Sequence, residues 1–189
     1  MEPGGRPAAG LVQGGDAGKP GASVGLAPIQ VSINVSARQL ADPGLVETFE
    51  RALRDTGCEP ATIIVEVTET ALLHDLGAAT AVLENIQALG VDLDLDDFGT
   101  GYSSLLYLRH FPVSRIKIDS SFVAGLGTDI ADTAIVASTI ALAHSVGLTA
   151  IAEGVESARQ LTMLRQMGCD FAQGYLLSPP LPELELAAW

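Results

Sequence analysis

The sequence predicts an α/β protein of parallel strands joined by crossover helices, and three observations predict it. From Pro28 onward, short apolar strand candidates alternate with amphipathic helical segments. Each helical segment closes on a glycine, and a strand candidate soon follows. Strand–helix–strand repeats of this kind require parallel strands, and no antiparallel meander fits. A chain of 189 residues with 48% hydrophobic content is also long enough for one real core.

Residues 1–27 are Gly/Pro/Ala-rich and carry neither a helical nor a strand period. Too little can be buried there to offset the ordering entropy, so a disordered leader is expected, with the folded domain over residues 28–189. The first helix is expected to open at Asp42-Pro43 and to bury Leu45, Val46, Phe49 and Leu53 before Gly57 stops it. A second starts near Asp75, shows Ala79, Val82, Leu83 and Ile86 on one face, and ends at Gly90. A third runs from about Asp129 to Ser145 and ends at Gly147; a fourth runs from Ser157 to Gly168. Glycine accepts the left-handed conformation that closes a helix, which accounts for the stops.

The strand candidates are IQVSIN, TIIVEV, VDLDLDD, SRIKID, LTAIAE and CDFAQG. Each finishes on a polar group: Asn34, Glu66, Asp96 with Asp97, Lys117 with Asp119, Glu153, and Gln173. One such ending means little, because a solvated loop begins there. Recurrence in every unit points to a shared mouth, since the C-terminal strand ends of a (β/α) barrel converge where active sites are built. Asparagine and carboxylate oxygens are hard ligands of the kind magnesium or manganese takes. Carboxylates crowded at one mouth repel one another unless a cation holds them ionised. A charged rim without a metal is the alternative.

Charge and composition exclude other classes. A net charge of −13 disfavours a nucleic-acid polymer or an anionic membrane as partner. Cys58 and Cys169 lack CxxC spacing, so neither a disulfide framework nor a zinc site is indicated, and reduced thiols in the cytoplasm are expected. No apolar run reaches the roughly 18 residues of a membrane-spanning helix, and no signal-peptide pattern opens the chain.

The segments SINVSARQL, VEVTET, DDFGTGYSSL, IKIDSSFV, AEGVES and AQGYLLSPPLP occur in this order. Through them the chain resembles the EAL domain, the bacterial cyclic-di-GMP phosphodiesterase module, from about Pro28 to Pro182. The resemblance implies a modified TIM barrel that hydrolyses cyclic di-GMP to the linear dinucleotide with Mg2+ or Mn2+. By that resemblance Asn34, Glu66 and Asp96 are metal ligands, and Asp97 brings in a second ion. Lys117 resembles the lysine that orients or helps deprotonate the attacking water, and Glu153 a catalytic or metal-water carboxylate. Asp119 would support the lysine or a metal-bound water. Glu156 and Gln173 fall nearer the substrate. Glu69 resembles the anchor of the loop after Asp97, which includes Phe98 and Gly99 and couples dimer contacts to metal binding, so a homodimer through that loop is implied.

The sequence also departs from the family pattern. It contains no Glu-Ala-Leu tripeptide, whose glutamate is a metal ligand in the family, and the family's first strands have no counterpart. An incomplete barrel of about six βα units is therefore expected, N-terminally truncated and with exposed sheet edges. Weak or absent turnover follows for this chain alone, with a degenerate cyclic-di-GMP-binding or interaction module as the alternative. Asp94 stands where a small residue is expected, adding charge below the metal ligands.

Overall fold

The computed structural model describes residues 29–73, 75–100, 108 and 111–182. The expected leader, His74, His110, most of the loop after Asp97 and Trp189 lie outside the described residues. Six strands form one sheet: β1 (Val31–Asn34), β2 (Ile63–Thr68), β3 (Asp92–Phe98), β4 (Arg115–Ile118), β5 (Thr149–Ala152) and β6 (Phe171–Ala172). Their spatial order equals their sequence order, and every neighbouring pair is parallel. Sequential parallel order is what repeated βα crossovers produce, and it makes this sheet part of a barrel wall.

Seven α-helices cover the described chain: α1 (Ala37–Leu40), α2 (Leu45–Thr56), α3 (Glu69–Leu73), α4 (Leu76–Ala88), α5 (Ser120–Ala124), α6 (Ile130–Ser145) and α7 (Ala158–Gln166). The N-caps fall on the expected acceptors. Asp75 accepts from the Ala78 N–H, Asp129 from Ala131 and Asp132, and Ser157 from Gln160. Gly57 closes α2 with φ 66°. The start of α2 differs from expectation. Asp42 Oδ1 accepts from the Gly44 N–H at 2.8 Å, and this local turn delays the helix, so Gly44 occupies the cap and Pro43 lies outside. The short helices α1, α3 and α5 span too little sequence to show a helical period.

Alternation divides the sheet into two faces. Val65, Val67, Leu93, Leu95, Ile116, Ile118, Ala150 and Ala152 pack with Leu83, Ile86, Val136, Ile140 and Leu164 of the covering helices in one core. The opposite face of β2–β4 carries Glu66, Asp94, Asp96, Arg115 and Lys117, with Ile64 beside them. β1 and β6 are the two edges, unpaired with each other. At β1 the cover is incomplete: Val31 is 48% and Ile33 40% exposed, as an unclosed sheet requires. Among the described residues no helix is long and apolar enough to cross a membrane.

Candidate active site

Lys117 is the centre of the charged face. Its Nζ lies 2.7 Å from Glu153 Oε1, 2.9 Å from Glu66 Oε1 and 3.2 Å from Asp96 Oδ1. Lys117 and Glu66 are buried, and Asp96 and Glu153 are only slightly open to solvent. Register explains the gathering. β2, β3 and β4 are adjacent, so period-two alternation turns Glu66, Asp96 and Lys117 to one side, and Glu153 follows directly at the end of β5. The Glu153 N–H donates to the Ile118 carbonyl at 3.1 Å, which holds the end of β5 against β4.

Asp97 reaches the same mouth by a different device. Plain alternation would send it to the helix side, opposite Asp96. Between Leu95 and Phe98 the pairing with β4 shifts, so three steps along β3 match the two from Ile116 to Ile118. This is a β-bulge, which re-aims a side chain at the price of ladder regularity. Asp97 takes φ 54°, and its N–H donates to Asp96 Oδ1 at 3.0 Å. Oxygens of Asp96, Asp97 and Glu153 consequently lie within 4.8 Å of one another.

The electrostatics follow from this crowding. Burial pushes the Glu153 carboxyl up to about 6, with Lys117 opposing and Asp96 and Glu66 adding to the rise. Asp97 is also raised, first by burial, then by Asp96 and Asp119. Burial opposes the Lys117 charge, but Glu153, Asp96 and Glu66 together override it and the lysine stays firmly protonated. Lys117 thus neutralises part of a cluster that still has more acids than cations. Hard oxygen donors at this spacing, with the proton affinities of Asp97 and Glu153 raised first by burial and then by neighbouring carboxylates, fit a divalent cation.

The remaining candidates are arranged around this centre. Asn34 ends β1 in register with Glu66 and is exposed. Asp119 caps α5 by accepting from the Ser121 N–H at 3.0 Å and from its hydroxyl, and it also meets Asp97. Among the described residues it makes no ion pair with Lys117. Gln173 is stitched to the loop after β5: its N–H donates to Ala152, and its carbonyl accepts from Val155. Glu156 is exposed at the same rim. Glu69 is buried at the start of α3, Phe98 is buried, and Gly99, at φ 94°, turns the chain against Phe122.

Two residues escaped sequence reasoning. Arg115 Nε lies 2.6 Å from Asp94 Oδ1, one step below the Lys117 cluster on the same face. Gln160 is buried and bonded both to the loop after β5 and to Val123 of α5. A signal for Gln160 was present: the pentapeptide SARQL occurs at 36–40 and again at 157–161, each time opening the helix that follows a strand.

Residues 21–180 match the EAL domain family. The chain belongs to the EAL domain family. MucR of Pseudomonas aeruginosa, a bifunctional diguanylate cyclase/cyclic di-GMP phosphodiesterase, is 43% identical over 87% of this chain. The alignment spans 24% of MucR, so this chain corresponds to about a quarter of that relative. The MucR phosphodiesterase solved as a c-di-GMP complex superposes with TM-score 0.80 at 43% identity, covering 83% of this chain and 64% of that one. Klebsiella pneumoniae BlrP1, solved as a manganese/cy-diGMP complex, superposes with TM-score 0.71 at 32% identity over 78% of this chain and 38% of its own. NbdA and RocR of Pseudomonas aeruginosa, 41% and 38% identical to this chain, are cyclic di-GMP phosphodiesterases. Among the described residues the EAL fold is present as an incomplete TIM-like barrel of six parallel strands.

Proposed function

We propose that this chain carries the site of a cyclic di-GMP phosphodiesterase, which opens the cyclic dinucleotide to its linear form by adding water across one phosphodiester bond. The observation that carries the reading is the convergence of Lys117 with Glu66, Asp96 and Glu153, beside Asp97 on its bulge. Asn34, Glu66, Asp96 and Asp97 would hold two ions, Mg2+ or Mn2+. Such a pair, when bound, activates water and stabilises the leaving oxygen.

Lys117 has the position and charge to orient the attacking water and neutralise the phosphate. It stays protonated, so it acts as a donor rather than a base. Glu153, with its proton affinity raised towards neutrality, is suited to pass a proton to or from that water. Glu156 and Gln173 at the rim would contact the dinucleotide, and Asp119 would support Asp97. Glu69, Phe98 and Gly99 would link the loop after Asp97 to a homodimer contact.

Turnover by these 189 residues alone is proposed to be weak. No Glu-Ala-Leu glutamate is present to complete the ligand set, and β1 leaves Val31 and Ile33 exposed. That same observation favours a second reading, a module that binds cyclic di-GMP without hydrolysing it. Incubation with cyclic di-GMP and Mn2+, followed by chromatography for the linear dinucleotide, separates the two. Slow hydrolysis abolished by Asp96→Ala supports the phosphodiesterase site. Binding by calorimetry with no product supports the binding module. Neither binding nor product overturns both.

A further inference from the structure

Gln160 joins the loop that bears Glu153 to α5, the helix that follows the strand of Lys117. It is the third residue of α7 and forms a capping box with Ser157. Its Oε1 accepts from the N–H groups of Glu156 at 2.9 Å and Ser157 at 2.8 Å, and from the Ser157 hydroxyl at 3.0 Å. A cap needs no more than that oxygen. The other half of the amide does something further: Nε2 donates to the Val123 carbonyl at 3.0 Å, in a buried bond spanning 37 residues. Val123 lies in α5, the helix entered directly from Lys117 and Asp119.

The loop from Glu153 to Ser157 is tightly held along its whole length. Glu153 donates to Ile118, and Val155 to Gln173. A side chain on Gly154, at φ 66°, would come within 2.6 Å of Ser120 Cβ, so this loop lies directly on the start of α5. Gln160 closes the far end of that contact. The matched residue gives an internal control. Gln39 in the first SARQL also caps, accepting from the Ser36 N–H at 3.0 Å and its hydroxyl at 2.7 Å. Gln39 is exposed, and among the described residues its amide nitrogen donates no hydrogen bond.

We propose that Gln160 is a positioning residue, which ties the loop after β5 to the helix after β4 and so fixes Glu153 against Lys117 and the Asp96–Asp97 carboxylates. The proposal deepens the metal-dependent reading of the site and partly rests on it. The local cap and the cross-link are separable by substitution. Gln160→Glu keeps the acceptor for the Glu156 and Ser157 amides and removes the donor to Val123. Gln160→Met removes both. Gln39→Glu makes the same change where no cross-link exists.

The test uses the whole chain, with Mn2+ affinity read by electron paramagnetic resonance and amide exchange read at Glu153 and Val155, whose acceptors Gln160 does not supply. Gln160→Glu is expected to weaken Mn2+ binding about tenfold, the usual effect of losing an outer group that orients the carboxylates of a metal site, here Glu153 beside Asp96 and Asp97. It should also speed exchange at both amides, while Gln39→Glu changes neither. Wild-type Mn2+ affinity in Gln160→Glu, with only a lowered melting temperature, would show a merely structural residue and overturn the proposal. If Gln160→Met does not fold, Gln160→Glu still decides. If the wild-type chain binds no Mn2+, the metal reading fails, and exchange alone judges Gln160: faster exchange in Gln160→Glu supports the tether, and unchanged exchange overturns it.

Discussion

Arg115 Nε and Asp94 Oδ1 are 2.6 Å apart on adjacent strands, directly beneath the Lys117 cluster, and the Asp94 side chain is 1% exposed. Asp92 Oδ2 lies 3.6 Å from the same guanidinium. Arg115 therefore compensates most of the charge that Asp94 adds to an already acidic face. Removing one partner of a buried pair is costly because the other stays uncompensated. Arg115→Gln should lose about 3 kcal/mol in urea unfolding, and Asp94→Asn combined with Arg115→Gln should lose clearly less. Equal losses in the single and double variants would show that pairing is not what Arg115 contributes.

The pH dependence of stability has a definite sign. Burial raises Asp94 to about 6, with Arg115 opposing, and Glu153 likewise to about 6. Between the ordinary carboxylate range and about 6, the folded state holds protons that the unfolded state has released. Stability of the metal-free chain contributed by these two groups therefore falls as pH rises through that window and levels off above it. Denaturation midpoints across the window should show this slope, and Asp94→Asn should flatten it. A slope unchanged in Asp94→Asn would assign it elsewhere.

Divalent metal should reverse part of that trend. Cations bind ionised carboxylates and release protons, so Mn2+ affinity should weaken as pH falls below about 6. Calorimetry in buffers of different ionisation enthalpy should detect the released protons. A pH-independent affinity would place the ion away from Glu153 and Asp97.

Lys117→Met should destabilise the metal-free chain by several kcal/mol, on the order of 3, because Glu66, Asp96 and Glu153 are left facing one another. Mn2+ should then raise the melting temperature of the variant more than that of the wild type, since the ion replaces the missing positive charge. Hydrolysis of cyclic di-GMP should disappear in the same variant. Retained hydrolysis would remove Lys117 from the proposed chemistry.

Asp97→Gly should separate stability from function. The left-handed φ of 54° strains a residue with a Cβ, and glycine relieves roughly 1 kcal/mol. Loss of a raised carboxylate adds to the gain. The variant should unfold at higher urea concentration and bind Mn2+ more weakly. A variant with wild-type Mn2+ affinity would exclude Asp97 as a ligand.

Much of this was legible in the sequence because it depends on short-range physics. Strand alternation placed Glu66, Asp96 and Lys117 on one face. Asp75, Asp129 and Ser157 announced helix starts because an N-cap is satisfied within three residues. The parallel order followed from the crossover rhythm. Asp94 was legible as an anomaly, but its partner lies 21 residues away, and only the register of β3 against β4 brings Arg115 beside it. The motif marks Asp97, yet alternation alone turns it away from Asp96, and the bulge turns it back.

The two SARQL segments show where that boundary falls. Local sequence is sufficient for the cap in both, because serine and glutamine three residues apart satisfy each other's neighbouring backbone groups, and the helix at Ser157 is legible from it. Tertiary structure decided that Gln39 remains at the surface while Gln160 reaches Val123. Both glutamines have the same local geometry, but a donor buried by packing needs an acceptor, and only the packing of α7 beside α5 supplies one.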